Sequence, residues 1–215
     1  MSTKQQDRTS SEVESICGVL QAEILRRSSG KQTPYMVAID GASGSGKSTI
    51  GAQLALVVEA ALIPFDDFYS AHVPDAEWDR RTPEQRAVEC MDWRRARTEV
   101  LAPLRSGQSA QWRAFDFEAG ASPDGTYQLY QDYKSRAPSA MVILEGAYSA
   151  QPALSDLIDL TILIDTETDI RAARLRLRED SDFLRAWNAR WDAAENYYLT
   201  CVRPKSSFGI VVTTL

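Results

Sequence analysis

Histidine occurs once in this 215-residue chain, as His72, and cysteine three times, as Cys17, Cys90 and Cys201. A single histidine excludes a multi-histidine metal centre, and a lone loop histidine is ordinarily just solvated. Three scattered cysteines without CxxC spacing argue against a zinc site or a disulfide framework and read as small core residues. No run approaches the ~18 apolar residues of a spanning helix, so no membrane partner is expected. The stretch "MSTKQQDRTSSEVES" lacks the apolar segment of a signal peptide, and a cytoplasmic protein is expected. Basic charge is also in deficit: 24 Lys and Arg face 30 Asp and Glu, giving a net charge of −6. That field repels nucleic acid, which is not an expected partner, yet a local basic cleft can still hold a small polyphosphate.

What is present is the composition of an ordinary globular α/β protein, expected to form one domain over residues 1–215. Val13, Ile16, Cys17, Leu20 and Ile24 recur at helical spacing, which predicts a helix over 11–27 capped by Ser10 or Ser11 and ended by "SSGKQTP". Residues 35–39 read as a buried strand, and Ile50, Leu54, Val57 and Val58 mark a helix from about Lys47. "ALIPFDDFY" (61–69) reads as a second strand. Thr82 and Pro83 open a helix, and residues 93–104 look helical. "SAQWRAFDF" and "GTYQLYQ" flank "EAGASPDG", which suggests two strands or an extended excursion around a turn between 109 and 130. "SAMVILEG", "LIDLTILID" and "FGIVVTT" complete a five-stranded set. Strands alternating with helices imply a parallel sheet covered on both faces.

Between the first of these strands and the helix after it lies "GASGSGKST", residues 41–49, which satisfies G-x-x-x-x-G-K-[ST] in the required strand–loop–helix context. Gly41, Gly44 and Gly46, with Ser43 and Ser45 between them, let successive backbone amides turn inward at a helix N-terminus. Such a P-loop cradle fits a triphosphate and implies ATP with Mg²⁺: Lys47 on the β and γ phosphates, the Ser48 hydroxyl on the metal, Thr49 on the α phosphate. No N-K-x-D guanine-reading motif occurs, which disfavours a GTPase switch.

Together with the loop, "PFDDFY" (64–69), "RAFDF" (113–117), "VILEGAY" (142–148) and "IDTETDIRAARLRLRED" (164–180) resemble the uridine kinase and phosphoribulokinase-like family of P-loop kinases, from about residue 35 to the end. The resemblance implies a nucleoside-kinase-like fold with a helical lid at about 171–195 and an acceptor-binding excursion at about 66–130. It implies Asp66 as the base that takes the proton of the attacking hydroxyl, with adjacent Asp67 an open alternative. It further implies Glu145 as the acid holding Mg²⁺ or its water. Arg171, Arg174 and Arg178 share one helix face, and in the family this is the lid cluster that closes on the phosphates. Their alternative is a solvated face paired with Glu167, Glu179 or Asp180. Trp187, Trp191, Ala194 and Tyr198 repeat at helical spacing and read as a packing stripe rather than a base-stacking platform.

Uridine kinases carry an Asp-His-Pro stretch after D-x-F-Y and a histidine after Y-D-F; this chain has neither. Tyr69, Asp92, Arg113, Phe115 and Asp116 remain as acceptor-pocket lining. The expected activity is an ATP-dependent, uridine kinase-like transfer of phosphate to a hydroxyl of a small metabolite, with homo-oligomerisation left open. The alternatives are a nucleoside monophosphate kinase, for which Arg86, Arg94 and Arg113 are the candidate acceptor-phosphate ligands, and a P-loop ATPase or nucleotide-binding switch.

Overall fold

The computed structural model describes residues 3–31 and 33–214, and of residues 3–10 the backbone alone; Met1, Ser2, Leu215 and Gln32, the last within the predicted helix-ending stretch, lie outside the described residues. In chain order, α1 (Thr3–Ser28) leads to β1 (Tyr35–Asp40), the glycine loop and α2 (Lys47–Val57). After β2 (Ala61–Pro64) the chain makes a 3₁₀ turn (Phe65–Phe68). It then runs through α3 (Asp75–Trp78), α4 (Pro83–Glu89), α5 (Trp93–Arg95), a π-helical stretch (Ala96–Leu101) and α6 (Ala102–Arg105). β3 (Ala110–Trp112) and β4 (Lys134–Arg136) precede β5 (Met141–Glu145), β6 (Leu160–Thr166), α7 (Thr168–Arg178), α8 (Ser181–Tyr197) and β7 (Ile210–Thr214).

The main sheet has the order β2-β5-β1-β6-β7 and all its pairings are parallel, as the alternating pattern predicts. Strand periodicity divides the core between its faces. Val37, Ile39, Ile143 and Ile162 pack with Cys17, Leu20, Ile24 and Leu54 of α1 and α2. Met36, Val142 and Leu144 pack on the other face with Trp78, Trp112 and Trp191. Register aligns Ile39 and Pro64 with Glu145, so the carboxyl ends of β1, β2 and β5 stand level. The direction of chain progression reverses at β1, where ligands of open α/β sheets bind.

Several local expectations are corrected. α1 begins at Thr3, not at Ser10 or Ser11; no Pro or Gly interrupts the polar turns before Val13, although they carry no apolar stripe to reveal them. β2 stops at Pro64, which has no N–H to continue a ladder, and Phe65 and Phe68 are buried on the 3₁₀ turn that follows. Between 109 and 130 one strand, β3, is followed by an extended excursion, the second of the two expected forms, and the β3 partner β4 lies beyond that range. The intervening chain is held instead by one bridge, Phe115 to Leu129, and by Arg113, which donates to the carbonyls of Tyr130 (2.5 Å) and Leu129 (3.2 Å). Cys17 and Cys90 are buried, whereas Cys201 is exposed on the last helical turn. Trp191, Ala194 and Tyr198 are core residues with Trp187 packed against them, in keeping with a packing stripe. No helix among the described residues is long and apolar enough to cross a membrane.

Ile63, fully buried on β2, supports the turn that carries Asp66. Ile63→Ala is expected to lower unfolding free energy by about 2–5 kcal/mol in urea denaturation; a loss below ~0.5 kcal/mol would contradict its packing role.

Candidate active site

The glycine loop lies at the carboxyl end of β1 with its strand–turn–helix geometry complete. Gly44 has φ of 80°, and a Cβ there would sit 2.8 Å from the Arg171 carbonyl oxygen, so α7 packs directly on the loop. The amides of Ser43 and Ser45 are occupied, the latter by the Ala42 carbonyl at 3.1 Å. Those of Gly44, Gly46 and Lys47 have no acceptor among the described residues. Three loop amides, two of them consecutive, thus offer donors at the start of α2, the arrangement that receives phosphate.

Lys47 is buried, with Nζ 3.5 Å from the Ala42 carbonyl, and its charge acts on three acids. Each stands at the end of a strand: Asp40 on β1, Asp66 just past β2 and Glu145 on β5. Desolvation raises all three carboxyl pKa values, by burial for Asp40 and Glu145 and by the surrounding cleft for Asp66, and Lys47 draws each back down. Asp66 keeps an exposed outer side, and a Cβ on Gly146 would come 3.2 Å from its Oδ1, which places it against the end of β5. Asp67 has a different environment. Its Oδ2 accepts from Trp112 Nε1 at 2.8 Å, and Lys134 Nζ stands 2.8 and 3.0 Å from its two oxygens. Both oxygens of Asp67 are held by donors, whereas no hydrogen-bond donor to the Asp66 carboxylate is found among the described residues.

Ser48 donates to Glu145 Oε1 at 3.0 Å. The hydroxyl and the carboxylate are hard oxygen donors on one side of Lys47. Magnesium takes one or two protein ligands and completes its shell with water and phosphate. This pair therefore fits Mg²⁺, although no cluster of three or more ligating side chains is found among the described residues.

Arg171 and Arg174 lie on the loop: Arg171 Nη1 donates to the Ser43 carbonyl at 3.0 Å, and Arg174 Nη1 to those of Ser45 (3.0 Å) and Gly44 (3.4 Å). Arg178 makes no hydrogen bond to the loop among the described residues; it is largely exposed, pairs with Glu179 at 2.5 Å, and its charge acts on the Asp66 carboxyl. It follows Arg174 by a full helical turn, about 6 Å further along the axis. Thr49 is exposed on the first turn of α2.

Tyr69 and Phe115 meet with ring centroids 5.1 Å apart, and Phe115 meets Phe117 at 4.5 Å, forming an aromatic wall past Asp66. Asp92, Arg113 and Asp116 instead hold backbone: Asp92 caps α5 through the Arg95 amide, and Asp116 accepts from the amides of Glu118 and Ala119. Arg86, Arg94 and Arg113 do not converge. Arg86 binds the Arg81 and Arg190 carbonyls, Arg94 stacks on Trp93, and Arg113 is committed as above.

Sequence reasoning missed Asp40, Lys134 and Glu195. Asp40 ends an apolar strand immediately before the loop, the same signal that singled out Glu145. Glu195 interrupts the Trp191–Tyr198 stripe with a charge, which was the available clue.

The sheet order, the loop and the strand-end acids define a P-loop kinase fold. The sequence profile of the Phosphoribulokinase / Uridine kinase family matches residues 36–205. The chain belongs to that family and is an ATP-dependent kinase with a hydroxyl acceptor. A uridine kinase from Staphylococcus aureus is 26% identical over 172 residues, covering 79% of this chain and 78% of that protein. Two solved structures share the fold. The D-glycerate 3-kinase from Cryptococcus neoformans var. grubii has a TM-score of 0.65 at 15% identity, covering 94% of this chain and 95% of that one. A protein described as a possible uridine kinase from Bacillus stearothermophilus has 0.62 at 17%, covering 97% and 99%.

Gly51 of α2 faces Glu145, and a Cβ there would lie 2.8 Å from Glu145 Cγ. Gly51→Ala is expected to displace the carboxylate and lower turnover about 10-fold while the protein stays folded, since misplaced catalytic groups cost rate steeply. Thermal unfolding and steady-state kinetics check it, and wild-type turnover would show that Glu145 need not sit where it does.

Proposed function

We propose that the chain phosphorylates a hydroxyl of a small metabolite using ATP and Mg²⁺, with Asp66 as general base. The observation that carries this is the division between the adjacent aspartates: Asp67 is held by Trp112 and Lys134, while Asp66 is open beside Lys47 and the end of β5. The amides of Gly44, Gly46 and Lys47, with the Lys47 ammonium, bind the phosphate chain. Ser48 and Glu145 hold the metal, which when bound neutralises charge on the phosphates. Asp66 accepts the alcohol proton as that oxygen bonds to the γ-phosphorus, the bond to the β–γ bridging oxygen breaks, and ADP leaves. Arg171 and Arg174 of the α7–α8 lid answer the charge on the transferring group.

The acceptor lies along the Tyr69–Phe115 wall, within an excursion that extends past residue 130 to Lys134, the partner of Asp67. Transfer to a nucleoside monophosphate finds no support, because Arg86, Arg94 and Arg113 are dispersed and committed elsewhere. The nucleoside-reading Asp-His-Pro and histidine are missing, so the acceptor class extends to sugars and hydroxy acids. A panel of nucleosides, sugars, hydroxy acids and nucleotides incubated with ATP and Mg²⁺, read by product mass, identifies it. Steady ATP hydrolysis with no phosphorylated product from any of them would instead favour an ATPase.

Asp66→Asn is expected to retain ATP binding and lose roughly 10²- to 10⁴-fold in turnover; unchanged turnover would remove Asp66 as base. The base works deprotonated, and desolvation raises its pKa. Activity should therefore fall with decreasing pH along a limb lying above the ordinary aspartate range. A kcat/KM profile flat down to that range would contradict the assignment.

A further inference from the structure

We infer that Glu195 is a positioning residue of the phosphate loop, holding the Ser43 peptide in the shape that receives a nucleotide and tying that shape to α8. This rests on the reading of the loop as an ATP site. Glu195 is 8% exposed, and a carboxylate so placed is costly unless well partnered. Its hydrogen-bond partners are both on Ser43: Oε1 accepts from the amide at 3.0 Å and from the hydroxyl at 2.5 Å. Arg171 Nη1 stands 3.7 Å from Oε2 and donates to the Ser43 carbonyl at 3.0 Å. Opposite charges from α7 and α8 therefore grip the two polar ends of one residue.

The grip selects which amides remain available. Ser43 N–H is taken by Glu195, and the amides of Gly44, Gly46 and Lys47 are left without protein acceptors among the described residues. A leucine at 195 would fill the stripe yet orphan the Ser43 amide. Trp191 and Glu195 of α8 and Tyr198 of the π-helical turn (Tyr198–Val202) that continues it lie at i, i+4 and i+7 on one face. Trp191 packs on Tyr69, with ring centroids 5.5 Å apart, and the Tyr198 hydroxyl donates to Asp40 at 2.7 Å. A single helix face thus joins the acceptor wall, the phosphate loop and the end of β1.

The test uses the full chain with Glu195→Ala, Glu195→Gln and Ser43→Ala. Amide hydrogen exchange over residues 41–46 is measured without nucleotide, and Kd for ATP with Mg²⁺ by calorimetry. Glu195→Ala should speed loop exchange and raise Kd about 10-fold, as expected for losing hydrogen bonds to a charged group. Glu195→Gln keeps an acceptor oxygen, and Ser43→Ala keeps the amide bond; each should stay within about 3-fold of wild type with modestly faster exchange. A Glu195→Ala protein that loses thermal stability but keeps wild-type exchange and Kd overturns the inference. If that variant does not fold, wild-type exchange and Kd in both other variants overturn it. Wild-type protein that fails to bind ATP would instead sink the nucleotide reading, while loop exchange would still report whether Glu195 grips Ser43.

Discussion

The site is organised around one buried carboxylate that takes no direct part in the proposed transfer. Asp40 is 1% exposed at the end of β1 and accepts from the amides of Gly41 (2.7 Å), Tyr148 (2.9 Å) and Ala150 (3.0 Å) and from the Tyr198 hydroxyl (2.7 Å). Its burial would be costly without those donors, so the segments that supply them are drawn to one point. They are the entry to the phosphate loop, the chain after β5 and the helical end after α8. Glu145 lies just before the second of these, and Glu195 one turn before the third. Asp40 thus ties together the loop entry and the segments next to Glu145 and Glu195.

Around it the remaining acids separate by environment rather than by type. Asp66 and Asp67 are chemically identical neighbours. The 3₁₀ turn after Pro64 directs them differently, so that one meets Trp112 and Lys134 and the other faces Lys47 and the cleft. Both meet cations, but only Asp67 has its oxygens occupied by donors. Tertiary placement makes one a strut for the β3–β4 excursion and leaves the other with no hydrogen-bond donor among the described residues, as the proposed base requires. The same logic divides the arginines of α7: Arg171 and Arg174 donate to loop carbonyls, while Arg178, a turn further on, pairs with Glu179 and acts on Asp66 through its charge.

α8 joins the two halves of the site. Its outer ties run through Arg190, whose guanidinium meets Asp75 and Asp79 at 2.7 Å each. Its inner face carries Trp191 and Glu195. A helix anchored at once to the acceptor excursion and to the loop restrains both, which suits a reaction that depends on alignment of hydroxyl, base and phosphorus more than on covalent chemistry.

The parallel sheet, the phosphate loop and the strand-end position of Glu145 were legible in the residue order because each rests on a local signal: apolar continuity, a glycine pattern before a helix, an acid closing a buried strand. The start of α1 and the end of β2 were not, since polar helical turns carry no stripe and a strand can pass into a 3₁₀ turn without a change in hydrophobicity. The choice between Asp66 and Asp67 and the grip of Glu195 on Ser43 lay beyond any window of sequence. Each depends on partners tens of residues away, Lys134, Trp112 and Ser43 among them, that only chain folding brings within hydrogen-bonding distance. The sequence by itself determined the fold and the donor loop, whose signals are periodic and contiguous. Which acid is free, which arginines face the loop and what holds it open were decided by tertiary structure, because charge and hydrogen-bond satisfaction are properties of neighbours in space.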